Sequence, residues 1–307
     1  MNSLAPVGIF TYNRIDTTSK TIALLEQNLL AQDTDVYVFC DGGKDEKTWA
    51  EVKALRTYLH SLQPKFRSFS VIEREKNVYV NQNIIGGMQQ LLEKYGKVIV
   101  VEDDIATSPY FLTYMNEALD HYADIKRVKS ICGFTNLNIP EKGDVYLTKH
   151  FAGWGWATWA DRWEQFRLLP TKAEALSLLT PQQQRDIEYG GKFRCLHHLD
   201  MGKIDWDLSW LIAIRHADGL CLAPTQTLVR NTGIEGGTHY KNMSLFGKYE
   251  FDREPISRHL DVRLENIEAD RDVEERLNPE ALHDHGFRYN LLGKIVRAVY
   301  KTITRKP

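Results

Sequence analysis

Cysteine is scarce in this chain. Cys40, Cys132, Cys195 and Cys221 are its four examples in 307 residues, and none forms a C-x-x-C pair. That excludes a disulfide scaffold and a cysteine-built zinc module, and three of the four lie in apolar contexts suited to buried, reduced thiols. Excess charge is also lacking. Lys and Arg number 39 against 41 Asp and Glu, a formal net charge of -2, so no general affinity for nucleic acid is expected. No apolar run reaches the length of a membrane span. The opening "MNSLAPVGIF" has neither the basic start nor the long apolar stretch of a signal peptide, and a cytoplasmic chain is expected. No G-x-G-x-x-G follows the first apolar run, and "DGGK" is too short for a phosphate loop. A dinucleotide dehydrogenase and a P-loop kinase are thereby disfavoured. There is no internal repeat, low-complexity tract or obvious linker.

What is present is an ordinary globular balance, 43% hydrophobic and 26% charged, with ample length for a core. "APVGIFTY", "DVYVFCDGG", "SFSVIER" and "KVIVV" read as strands. Helical patterns lie between them. One carries Ile22, Leu25 and Leu29 on one face behind a Thr17 or Thr18 cap, one spans residues 46–62, and one repeats Ile84, Met88, Leu91 and Tyr95. This rhythm predicts an α/β, Rossmann-like architecture, a mostly parallel sheet flanked by helices. Ser108-Pro109 reads as a helix start, Ser as N-cap and Pro first. "VKSICGF" and "GLCLAPTQTLV" read as further strands, and "TPQQQRDIEYG" as a helix with a Thr180 cap and Gln183 completing a capping box.

Ligands of such sheets bind beyond the C-terminal strand ends. There the apolar run Val98 to Val101 stops abruptly in Glu102, Asp103 and Asp104. Three like charges at a buried exit repel one another. A metal ion, an arginine or solvent would relieve them. Hard divalent cations take carboxylate oxygens and keep positions open for phosphates, so a pyrophosphate leaving group is one possible partner.

At these residues the sequence resembles the GT-A glycosyltransferases, the nucleotide-diphospho-sugar transferases of family 2 style. "VVEDD" is similar to their acidic metal motif, in the form carried by N-acetylglucosaminyltransferase I and bacterial relatives. "PVGIFTYNR", "FCDGG", "NVYVNQNIIGGMQQLL", "GWGWATW", "WDLSW" and "NTGIEGGTHY" resemble the family's other segments in their expected order, over about residues 5–240. The resemblance implies a catalytic domain over residues 1–240. Its nucleotide-binding half is 1–104 and its acceptor-side half 105–240, with an extension over 241–307. It implies Mn2+ or Mg2+ on Asp104, Glu102 and Asp103 at the ribose and the metal's waters, and Thr11, Tyr12, Arg14 and Asp41 at the nucleotide. Trp154, Gly155 and Trp156 would form the sugar and acceptor site. Trp154 departs from the smaller apolar residue common there.

Each residue also has a plainer explanation. Asp41 suits a turn before two glycines. Arg14 would meet the pyrophosphate, the acids or only solvent. Asp205 and Asp207 suit an N-cap and a first-turn acid of a helix burying Trp206, Trp210 and Ile214. A glycosyl transfer nevertheless needs a base for the acceptor hydroxyl, and Asp207 is favoured with Asp205 in reserve. His239, in a glycine-bearing loop, would ligate the metal or hydrogen-bond a phosphate. The tail places Lys294, Arg297, Lys301 and Arg305 opposite Leu292, Ile295, Val296, Val299 and Ile303, a basic amphipathic pattern suited to anionic membrane or to packing on the domain.

The resulting expectation is an inverting transferase moving a sugar from a UDP-sugar to a glycan or lipid-linked acceptor, in surface polysaccharide synthesis at the inner membrane face. The alternatives are a nucleotidyltransferase that makes the sugar nucleotide and a non-catalytic glycan or sugar-nucleotide binder.

Overall fold

The computed structural model describes residues 3–169, 171–188, 196, 206–235 and 253–276. Strands β1 (Val7–Thr11), β2 (Asp35–Cys40), β3 (Ser68–Glu73) and β4 (Lys97–Glu102) come first, joined through helices α1 (Ile15–Leu25), α2 (Glu46–Ser61) and α3 (Tyr79–Tyr95). Helical crossovers let them run parallel, with β1 between β2 and β4, and β3 outside β2. Then follow β5 (Ile105–Thr107), α4 (Phe111–His121), β6 (Val128–Cys132), β7 (Val145–Thr148), β8 (Trp156–Trp159) and α5 (Ala160–Trp163). The last described elements are α6 (Lys172–Leu178), α7 (Pro181–Ile187), α8 (Trp206–His216), β9 (Leu220–Pro224), β10 (Val229–Asn231) and α9 (Arg271–Arg276).

The main sheet has eight strands in the order β3-β2-β1-β4-β8-β6-β9-β7, and β10 pairs with β5 in a ribbon of its own. Strand β8 runs antiparallel to β4 and β6, and β7 antiparallel to β9. Since β6 and β9 are parallel, the C-terminal ends of β1, β2, β3, β4, β6 and β9 share one edge. The fold is thus the mostly parallel α/β sheet that the alternating pattern predicts.

Val98 to Val101 are all buried, and alternate residues enter different layers. Ile99 and Val101 pack with Leu112 and Met115 of α4, whereas Val98 and Val100 pack with Ile84, Met88 and Leu91 of α3. With both faces covered, the strand has no polar alternation.

Several local expectations are corrected. Helix α1 starts at Ile15, with Arg14 rather than Thr17 or Thr18 at its N-cap. Thr18 is inside, its hydroxyl donating to the Arg14 carbonyl at 2.6 Å. Leu29 lies beyond the helix and is 61% exposed. Helix α4 starts at Phe111, because Ser108 forms a turn first: its Oγ accepts from Tyr110 N at 3.2 Å and donates to the Ile256 carbonyl at 2.6 Å. The Thr180–Gln183 capping box is present as expected. Cys40, Cys132 and Cys221 are buried and free; Cys195 lies outside the described residues.

Part of the 241–307 segment packs on the sheet layers. Leu260, Val262 and Val273 are buried, and Tyr122 Oη donates to the Val262 carbonyl at 2.7 Å. No described helix is long and apolar enough to cross a membrane. The basic tail, residues 291–305, lies outside the described residues.

Candidate active site

The residues that follow the strands continue the backbone ladder. Asp103 N donates to the Phe10 carbonyl (3.1 Å), Asp41 N to Thr11 (3.0 Å) and Arg74 N to Cys40 (2.9 Å). Tyr12, Asp41, Arg74 and Asp103 are thereby aligned along the shared edge.

Arg14 is the positive charge among the acids. Its Nε donates to Asp103 Oδ2 at 3.2 Å and its Nη2 to Asp103 Oδ1, while Nη2 also reaches Asp104 Oδ2 at 3.0 Å. Burial works to lower the Arg14 pKa, but Asp103 and Asp104 outweigh it and hold the guanidinium charged. Asp103 is buried and also lies 3.4 Å from Thr11 Oγ1. Burial raises its pKa to about 6 against the pull of Arg14. Glu102 is raised to about 8 by burial, then by Asp104, Asp103 and Asp207, with Arg14 opposing. Arg14 thus bonds two of the acids, Asp103 and Asp104, and acts on a third, Glu102, across space. Among the described residues, Glu102 receives no hydrogen bond.

Asp104 is fixed from the other side by the turn after β10. Thr232 N and Oγ1 donate to the Asp104 carbonyl at 2.7 and 3.0 Å. A Cβ at Gly233 would fall 2.3 Å from Asp104 Oδ2, so a larger residue there would displace the carboxylate. Asn231 Oδ1 secures the turn by accepting from Gly233 N at 2.8 Å.

Among the described residues, no three metal-ligating side chains are gathered into a cage. Hard divalent ions bound with phosphates commonly use only one or two carboxylates. Glu102 and Asp104 supply such oxygens, and burial, the main cause of the raised Glu102 pKa, favours its neutral form until a cation is beside it. The donor set fits a metal that arrives with a diphosphate. His239 lies outside the described residues.

On the β2–β3 side, Asp41 is buried and its carboxylate anchors a loop. Gly42 N and Val78 N donate to Oδ1, each at 2.8 Å, and Asn77 Nδ2 donates to Oδ2 at 3.0 Å. Lys44 Nζ lies 5.5 Å from the Tyr12 ring centroid and 4.9 Å from that of Tyr79. Tyr79 is 63% exposed and has a φ of 64°, uncommon for a residue with a Cβ. Among the described residues, Tyr12 Oη, Asn77 Oδ1 and Arg74 Nη2 are buried without partners. Such atoms are costly unless something completes them. Sequence inspection missed Lys44, Arg74, Asn77 and Tyr79, because only their placement joins them to Asp41.

Between the end of β6 and the start of β8, Gly155 has a φ of +59° and its carbonyl accepts from Gly133 N at 2.7 Å. Trp154 is half-buried, edge-on to Phe134 at 4.5 Å. Trp156 corrects the expectation of a sugar-stacking residue. It is fully buried, stacked on Trp206 at 5.4 Å and edge-on to Phe151 at 4.9 Å, so no ligand can reach its face. Its place at the start of β8 points it into the core with Trp163 and Trp210.

Helix α8 buries Trp206, Trp210 and Ile214 as expected. Trp206 N donates to Asn81 Oδ1 at 3.1 Å, tying the helix start to the first turn of α3. Asp207 is exposed, its Oδ1 accepts from Leu208 N at 2.7 Å, and its charge acts on Glu102. Asp205 lies outside the described residues. Along the same edge, a cavity of about 280 Å³ is lined by Leu137, Asn138, Gln226, Thr227, Arg253 and Ile256, among others.

No protein-family profile and no curated protein matches the chain. Solved structures with similarity to it include a mannosyltransferase from Pyrobaculum calidifontis in complex with GDP-Man and Mn2+. It is 12% identical, with 69% of each chain covered and a TM-score of 0.40. Residues 1–349 of S. aureus TarS are 9% identical, over 75% of this chain and 61% of that one, with a TM-score of 0.43.

Proposed function

We propose that the chain is a metal-dependent GT-A glycosyltransferase that moves a sugar from a nucleotide-sugar, UDP-linked by family resemblance, to a hydroxyl of a glycan or lipid-linked acceptor. The observation that carries this is the meeting of Arg14, Glu102, Asp103, Asp104 and Asp207 at the C-terminal edge of a parallel sheet. Tyr12, Asn77 and Arg74 offer unsatisfied polar atoms beside Asp41, suited to the edges of a base and ribose.

In this mechanism the base packs beside Tyr12, within reach of Lys44 and Tyr79. Arg14 meets the diphosphate, and Glu102 and Asp104 would hold the divalent ion. The ion, when bound, supplies charge that stabilises the departing diphosphate. Asp207 takes the proton of the acceptor hydroxyl as its oxygen attacks the anomeric carbon. The bond from that carbon to the diphosphate oxygen breaks on the opposite face, and the configuration inverts. Trp154 and the Gly155 backbone border the acceptor. Asp207 stands at the exposed start of α8, its charge acting on Glu102.

Titration calorimetry with UDP and Mn2+, followed by slow hydrolysis of a panel of sugar nucleotides, tests this. Metal-dependent nucleotide binding with hydrolysis of one donor is expected. Binding without turnover on any donor and acceptor would leave a non-catalytic binder, and pyrophosphate release from a nucleoside triphosphate and a sugar phosphate would mark a nucleotidyltransferase. Peripheral contact with anionic membrane is part of the same proposal. Each basic residue near such a surface contributes about 1 kcal/mol, so deleting residues 291–307 should abolish low-salt co-sedimentation with anionic liposomes while sparing activity on a soluble acceptor.

A further inference from the structure

The mechanism asks two cations to share one carboxylate. Arg14 Nη2 sits 3.0 Å from Asp104 Oδ2, the oxygen that also abuts Gly233. A divalent ion on either Asp104 oxygen would lie within a few ångströms of that guanidinium, and like charges so close disfavour each other. The contacts of Arg14 are unequal. Asp103 is engaged by both Nε and Nη2 and is buried, whereas Asp104 takes only the outer Nη2. The Arg14 backbone is held, its carbonyl accepting from Thr18 N at 3.2 Å and from Thr18 Oγ1 at 2.6 Å. The side chain is 40% exposed. It can turn while the backbone stays, and a diphosphate offers a guanidinium the paired oxygens that it binds best.

We propose that Arg14 is the resident counter-cation of this site and competes with the metal: it holds Asp104 while no donor is present and releases it when a diphosphate draws Nη2 away from both acids, Nε keeping its bond to Asp103. This rests on the metal-dependent function proposed above and goes beyond it. Metal and nucleotide then bind with positive coupling, the ion weakly by itself and tightly with the diphosphate. By linkage, the metal strengthens nucleotide binding by the same factor.

The test measures free Mn2+ by electron paramagnetic resonance during titration of the wild type, Arg14→Gln and Arg14→Lys, each with and without saturating UDP. For the wild type, weak Mn2+ binding alone and at least tenfold tighter binding with UDP are expected. Arg14→Gln should bind Mn2+ alone at least fivefold more tightly than the wild type, and UDP should then tighten it much less. Arg14→Lys keeps a charge for buried Asp103 but lacks the fork that spans both acids, so it should fall between. It serves as the deciding variant should Arg14→Gln not fold. Unchanged or weaker Mn2+ binding in the folded variants without UDP overturns the proposal, with the metal site itself intact. Failure of every protein to take up Mn2+ even with UDP overturns metal dependence, and this proposal with it.

Discussion

The two halves of the sheet finish their shared edge in different ways. From β3 to β4, the strands end in polar side chains whose hydrogen bonds are incomplete: Arg74, Asn77 and Tyr12 each leave an atom unsatisfied, and Glu102 to Asp104 outnumber Arg14. Around β8 and α8, the same edge is backed by stacked aromatics, Trp156 on Trp206 and Trp163 on Phe166 at 4.1 Å. An edge of unfinished charges is free to answer a ligand, whereas a slab of close-packed rings is already complete and holds shape. Substitutions should therefore change binding at one end and stability at the other, except for the few side chains that leave the slab for solvent.

Trp156→Ala should give the largest effect. It empties the centre of the aromatic layer and should cost about 3 to 5 kcal/mol in denaturant unfolding, the usual range for a buried Trp truncation. Trp154→Ala, two residues away and half-buried, should cost less than half of that and raise the acceptor KM instead. Equal stability losses would erase the distinction between the two tryptophans.

Asp207→Asn comes next. Asn keeps an oxygen for the Leu208 N–H but loses basicity, and the site is exposed, so the melting temperature should hold. Turnover should fall about a hundredfold or more, with UDP affinity nearly unchanged. Normal turnover here with collapse in Asp205→Asn would move the base by two residues.

The same contrast governs what could be read beforehand. Strands β1 to β4 are legible because each is an apolar run bounded by turns, with a helical period between. Strand β8 is not: it hides in "GWGWATWADRW", where aromatics that build a core look like aromatics that stack on sugars. Burial alone separates Trp156 from Trp154, and no local pattern encodes it. At the acids, the sequence poses the charge problem but leaves its relief open among metal, arginine and solvent. Arg14 is 88 positions before Glu102, and only the pairing of β1 with β4 brings them together. Lys44, Asn77 and Tyr79 were illegible for the same reason, each joining the site through contacts across neighbouring strand ends.

The acids should also leave a mark on stability. Glu102 is raised from 4.5 to about 8 and Asp103 from 3.8 to about 6, burial being the main cause of both. Between the ordinary and raised values the folded chain holds more protons than the unfolded one, so these groups make stability fall as pH rises from about 4 to 8. The metal-free protein should melt at a lower temperature at pH 8 than at pH 6 by this contribution. Glu102→Gln should flatten that slope, as should saturating UDP with Mn2+. Trp154→Ala, at the aromatic end, should leave the slope unchanged.

The smallest effects concern the helix starts, where both halves of the chain use the same device in different surroundings. Asp45 caps α2 and exchanges bonds with Thr48 at 2.8 and 3.0 Å, all on an exposed surface. Thr180 caps α7 through Gln183 N at 3.2 Å, and Gln183 returns the bond to Thr180 N at 2.9 Å. Gln183 has a second task, since its Nε2 donates to the Arg215 carbonyl at 2.6 Å near the end of α8. Ile187 of α7 joins the same apolar cluster as Leu208, Leu211 and Ile212 of α8. Thr180→Ala should thus cost about 1 kcal/mol, the ordinary worth of a cap. Gln183→Ala should cost more, because it removes both the reciprocal bond and the tie to α8. Asp45→Ala should cost the least, because water replaces what it loses. Denaturant unfolding of the three variants measures the order directly. If Gln183→Ala is no worse than Thr180→Ala, the bond to Arg215 adds nothing, and α7 is held on α8 by its apolar face alone.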